Sequence, residues 1–135
     1  MSGASEGELV ALATAARDHA YAPYSKFQVG CAVRVDGRAF TGVNVENASY
    51  PICVCAERNA IAAAVVAGAR ALDLVVVCTG ASPPSSPCGA CRQAIAEFAA
   101  DPATTTIVAV NPRGERRAWT LAELLPASFS GRELP

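Results

Sequence analysis

Apolar residues recur at helical spacing from Ser5 to about His19, with Leu9, Leu12, Ala13 and Ala16 on one face. Ser5 and Glu8 have the spacing of a capping box, so a first helix is predicted to start there. Tyr21-Ala22-Pro23-Tyr24-Ser25 breaks the period. Two apolar-rich runs, 29–35 and 39–45, then flank Asp36-Gly37, a dipeptide that favours a two-residue hairpin turn, and predict adjacent antiparallel strands. Alanine-rich sequence from Cys55 to Ala67, stopped by Gly68, predicts a second helix, and Leu72 to Cys78 a continuous buried strand. The Ser- and Pro-rich stretch 79–87 reads as a loop, and Gly89 to Ala99 as a third helix. Thr105 to Val110 predicts a strand, Arg113-Gly114 a turn, Arg117 to Thr120 a short strand, and Leu121 to Leu125 a short helix before Pro126. Strands alternating with helices after one hairpin predict an α/β layered domain with a mixed sheet.

A chain of 135 residues is long enough to bury a core without disulfides, and residues 1–135 read as a single domain. The formal charge is −1 and the two signs are interspersed, so there is no basic stripe to grip a polyanion, and nucleic acid is not the expected partner. No run of about 18 apolar residues is present to suggest a membrane span, and the first residues lack the basic start and apolar stretch of a signal peptide. The expectation is a soluble, cytoplasmic protein. Six cysteines in a reducing compartment serve as metal ligands, nucleophiles or small hydrophobes rather than bridges. Cys31 and Cys78 lie inside apolar strand-like runs and read as core. Cys53, Cys55, Cys88 and Cys91 cluster instead around two predicted helix starts.

Cys55-Ala56-Glu57 opens one of these helices and Pro87-Cys88-Gly89-Ala90-Cys91 the other. Alone, each is a weak signal. Together they can deliver three thiolates from two helix N-termini, where the helix dipole favours negative charge and lowers thiol pKa. Three protein ligands leave a fourth position on a tetrahedral zinc for water, the mark of a catalytic site, and the metal acidifies that water. Glu57 stands two residues after Cys55, near the metal, and its plainer reading is a first-turn acid that complements the helix dipole. This spacing is that of the zinc deaminases, a ligand, one residue and a glutamate, followed later by Pro-Cys-x-x-Cys.

Five runs, 21–30, 44–50, 55–58, 87–93 and 124–129, resemble the homotetrameric, three-cysteine cytidine deaminases in the same order over nearly the whole chain. The resemblance implies a three-layer α/β/α cytidine deaminase-like fold with a central mixed β-sheet. It implies one zinc per chain on Cys55, Cys88 and Cys91, and hydrolysis of cytidine and deoxycytidine to uridine and deoxyuridine with release of ammonia, in pyrimidine salvage. Glu57 then takes a proton from the zinc-bound water, whose attack falls on C4, and passes protons to N3 and to the departing amine. Arg58 offsets the excess negative charge of three thiolates on Zn²⁺. Asn44 and Glu46, two apart and so on one face, bind the ribose 3′-hydroxyl, and Glu46 repels phosphate. Phe27 packs against the nucleoside, backbone groups of Ala56 and Ser86 contact the base, and Tyr50 and Phe129 complete a neighbouring subunit's pocket.

Several positions keep a second reading. Cys53 is available as a fourth thiolate that would close the zinc site into a structural one. Phe27 is also a candidate core residue, Asn44 and Glu46 a turn-stabilising pair, and Arg58 a surface cation. His19, the only histidine, sits at a helix end and is expected in solvent; Trp119 is expected to pack near a sheet edge. Asn59 stands where the family commonly has threonine, which touches no chemistry.

Overall fold

The computed structural model describes residues 3–135. In chain order the elements are α1 (Glu6–Arg17), β1 (Gly30–Val35), β2 (Arg38–Val43), α2 (Ala56–Val66), β3 (Leu72–Cys78), α3 (Gly89–Phe98), β4 (Thr106–Val110), β5 (Arg116–Thr120) and α4 (Leu121–Leu124). Single 3-10 turns at Tyr50–Ile52 and Gly131–Glu133 are additions that the hydrophobic pattern did not announce. Asp36 and Gly37 both have positive φ, 52° and 76°, which gives the tight turn whose twist matches a hairpin and pairs Val35 with Arg38.

The strand order is β2-β1-β3-β4-β5. Only β3 and β4 run parallel; the other neighbours are antiparallel. Side chains alternate across β3, so Val75 and Val77 face the cluster built with α2, α3 and Leu121, while Leu74, Val76 and Cys78 face the cluster built with α1. The sheet is thus covered on both faces, α1 on one and α2 with α3 on the other, the expected three-layer arrangement. Cys31 and Cys78 are fully buried, one in each layer.

Two glycines set how closely the layers meet. A Cβ at Gly30 in β1 would collide with the backbone of Ala13 and Arg17, and one at Gly42 in β2 with the backbone of Ala56 and Ala60. The first contact explains a departure from the sequence pattern. It seats the Leu9–Ala13–Arg17 line of α1 on the sheet and turns Leu12 outward, 40 % exposed. The predicted capping box forms by half: Ser5 Oγ accepts the Glu8 N–H at 3.1 Å, and among the described residues no return bond from the Glu8 carboxylate closes it.

The register aligns four strand ends at one edge. Val43 pairs with Gly30, Gly30 with Cys78, and Cys78 with Val110. Asn44, the 27–29 segment and Thr79 therefore emerge side by side, at the carboxyl end of the parallel pair where open α/β sheets bind ligands.

Candidate metal centre and pocket

Cys55 is the N-cap of α2 and Cys88 the N-cap of α3, both extended and neither making a side-chain cap bond. Cys91 follows in the first turn of α3. The three Sγ atoms lie within 4.8 Å of one another, and Cys55 and Cys88 are 3.9 Å apart. A tetrahedral zinc with Zn–S of about 2.3 Å needs sulfurs roughly 3.8 Å apart, so modest contraction of the trio fits the metal. A second observation agrees. Arg58 Nε is buried with no hydrogen-bond partner among the described residues, while its Nη2 donates to Cys53 O at 3.2 Å. A thiolate-rich centre gives that orphaned donor an acceptor, and three thiolates with Zn²⁺ leave the single negative charge that a guanidinium offsets.

Cys55 and Cys91 titrate as a pair. Cys55 is pulled down to about 5, chiefly by the hydrogen bond from Cys91 and against burial, with Arg58 and Cys88 assisting. Cys91 is pushed up because it donates that proton, and because it is buried beside the Glu57 carboxylate. Arg58 is held charged, first by the Cys55 sulfur beside it. Cys53 turns elsewhere: its sulfur accepts the Asn47 N–H at 3.2 Å, outside the trio.

Glu57, in the first turn of α2, is only 5 % exposed. Burial raises its carboxyl to about 7, and the Cys55 thiolate adds to the rise, while its own backbone N–H, Cys91 and Arg58 oppose it. It opens onto a cavity of about 290 Å³ that also takes Phe27, Asn44, Glu46, Cys55, Ala56, Ser86 and Cys88 into its wall. The sequence separates these residues by up to 61 positions; the aligned strand ends bring them together.

Phe27 lies on the cavity wall, 43 % exposed, and is not a core residue. Asn44 accepts from Val29 N–H and donates to Phe27 C=O, both at 2.8 Å. Glu46 accepts from the Tyr24 and Ser25 amides at 3.0 and 3.1 Å, and from the Ser25 hydroxyl, and the hydroxyl bond is the first cause of its lowered carboxyl pKa. The pair therefore braces the 24–29 segment and lines the pocket at once.

Tyr50 and Phe129 lie outside this cavity. Tyr50 is 68 % exposed, edge-on to Tyr24, over a neighbouring hollow that shares Ser25 and Glu46. Phe129, 57 % exposed, is anchored by its carbonyl to Gln93 Nε2 at 3.0 Å. Ser25, Val29, Val77, Thr79 and Ser85 complete the wall and were not singled out from the sequence. Thr79 was within reach of such reasoning, since it is the first residue beyond a buried parallel strand.

Residues 4–107 match the family model described as the cytidine and deoxycytidylate deaminase zinc-binding region. The chain belongs to that family. Among its relatives, the cytidine deaminase of Sporosarcina psychrophila is 42% identical over 128 residues, 94% of this chain and 93% of the relative. That of Mycobacterium tuberculosis is 39% identical over 124 residues, 91% and 88% of the two chains. The solved structure of the cytidine deaminase from Burkholderia pseudomallei superposes with a TM-score of 0.86 at 43% identity, covering 93% of this chain and 99% of that one. For a zinc-binding deaminase, the Cys55, Cys88 and Cys91 trio is the site able to hold the metal.

Proposed function

We propose that this chain removes the 4-amino group of cytidine and deoxycytidine by zinc-dependent hydrolysis, with Glu57 as the proton carrier. The observation that carries the assignment is a buried carboxyl, Glu57, that shares a nucleoside-sized cavity with two of three converging thiols. Zinc, when bound by Cys55, Cys88 and Cys91, supplies the Lewis acid that makes water nucleophilic near neutral pH. Glu57 takes a proton from the attacking water and delivers it to N3 as the new C–O bond forms at C4. It then collects the proton of the C4 hydroxyl and hands it to the amino group, so that the C4–N bond breaks and ammonia leaves. Burial, which favours the neutral form of this carboxyl, suits it to both directions of transfer. Arg58 holds the thiolate cluster's excess charge.

Ala56 and Ser86 hold the base through backbone groups, Phe27 covers it, and Asn44 with Glu46 binds the ribose. A carboxylate at that end disfavours a phosphorylated sugar, which supports nucleosides over the nucleotides that the family also includes. Among the described residues no helix is long and apolar enough to cross a membrane. The proposed setting is pyrimidine salvage in the cytoplasm, with one domain over residues 1–135. Exposed Tyr50, Ile52, Val66 and Phe129 supply apolar surface for a homotetramer in which Tyr50 and Phe129 reach a neighbour's pocket.

The direct test is ammonia release and absorbance change on purified protein with cytidine, deoxycytidine and their 5′-monophosphates. Turnover of the two nucleosides alone is expected. Turnover of the phosphates alone would reverse the substrate assignment. For the shared pocket, Phe129→Ala and Glu57→Gln chains refolded together should be more active than the two separately, because some pockets then combine intact parts. Proven subunit exchange without that gain returns Phe129 to its own chain.

A further inference from the structure

Arg92 is half-buried and pairs with no carboxylate among the described residues. Its guanidinium instead reaches three neutral oxygens on two segments. Nε donates to Pro87 C=O at 2.8 Å, Nη2 to Ser86 Oγ at 3.0 Å and Nη1 to Leu124 C=O at 2.9 Å. The first two acceptors belong to the loop that ends in Cys88, and Ser86 itself lines the cavity. The third lies at the end of α4, where the chain leaves for the C-terminal segment. Gln93, the next residue, holds that same segment through Phe129 C=O.

We infer that Arg92 is a positioning residue for the pocket, fixing the Ser86–Pro87 loop against the base and making its position depend on the docked C-terminal segment. Only a planar fork with donors on separate nitrogens meets three acceptors so placed; a lysine ammonium on a flexible stem satisfies fewer of them at once. Arg117, whose Nη1 donates to Pro84 C=O at 3.0 Å, supports the same loop two residues earlier and leaves Ser86 to Arg92. The inference rests on the reading of Ser86 as a base contact.

The test uses the zinc-loaded enzyme with Arg92→Lys, Ser86→Ala and the double variant, since Arg92→Ala risks the fold. Zinc content, kcat and KM for cytidine, and hydrogen exchange of segments 82–88 and 124–130 are measured together. Arg92→Lys is expected to keep its metal, to raise KM by about tenfold with kcat changed less, and to loosen both segments. Ser86→Ala, which spares the backbone contact to the base, should raise KM by less, and the double variant should be no worse than Arg92→Lys alone, because both act through one bond. Unaltered exchange in both segments would overturn the inference and leave the Ser86 contact standing. Looser segments with KM unmoved in every variant would instead overturn Ser86 as a base contact, and this inference with it. Fully additive KM effects would also overturn it, since Arg92 would then act by another route.

Discussion

Helices of this chain start in two ways. At α1 and α4 the N-cap is a hydroxyl that closes on the helix: Ser5 accepts Glu8 N–H, and Thr120 accepts Glu123 N–H while the Glu123 side chain returns to the Thr120 amide. At α2 and α3 the N-cap is a thiol that makes no such bond. A hydroxyl cap uses the first-turn amides to stabilise its own helix. The thiol caps forgo that stabilisation, and the positive ends of both helices act on sulfur and on whatever the sulfurs hold. The same backbone geometry is structural at one pair of termini and chemical at the other.

Exchanging the cap types breaks the comparison most severely. Cys55→Ser and Cys88→Ser restore the hydroxyl cap yet are expected to abolish zinc retention and activity together, because a neutral hydroxyl does not replace a thiolate ligand. Metal analysis of purified variants checks this, with Cys53→Ala as the control that keeps its zinc. Glu57→Gln leaves all three thiols in place and should retain metal and fold, while kcat/KM falls by about a thousandfold or more. A variant within tenfold of wild type would remove Glu57 from the proton pathway. Arg58→Ala should lower activity or zinc retention by about tenfold at an unchanged fold, because the thiolate charge loses its counterweight.

The hydroxyl caps respond on a smaller scale. Ser5→Ala and Thr120→Ala should each cost about 1 kcal/mol in denaturant unfolding, with zinc content unmoved. Smallest is the pH effect at the Thr120 cap. Hydrogen bonds from the Thr120 amide and hydroxyl hold the Glu123 carboxyl below its ordinary 4.5. Its contribution is thus complete above that value and lost as pH falls through the lower folded-state value. The stability gap between wild type and Glu123→Ala should be constant near neutral pH and shrink in acid; a gap that widens in acid would contradict the assignment.

Sequence reasoning reached the thiol caps because ligand chemistry imposes spacing along the chain. Cys55, Glu57, Cys88 and Cys91 stand out by intervals of two, 31 and three residues, each readable without a fold. The elements were legible for a similar reason: period and turn residues such as Asp36-Gly37 are local. What escaped is set by contacts between distant segments. Leu12 matches the apolar period but faces solvent because Gly30 fixes the rotation of α1. Ser25 reaches the pocket wall through bonds to Glu46, 21 residues away, and the three acceptors of Arg92 exist only once loop and C-terminal segment meet it. The second face of Asn44 and Glu46, as a brace for 24–29, belongs to the same class.

The contact at Gly42 has a consequence for how the metal is captured. With no side chain between β2 and the first turns of α2, the height of Cys55 above the sheet is a backbone dimension, insensitive to how neighbouring side chains pack. The metal then meets a ligand whose place is already fixed, and little ordering entropy is left for binding to overcome. Gly42→Ala would lift that end of the socket while changing none of the atoms that touch the ion, a way to detune zinc affinity from beneath.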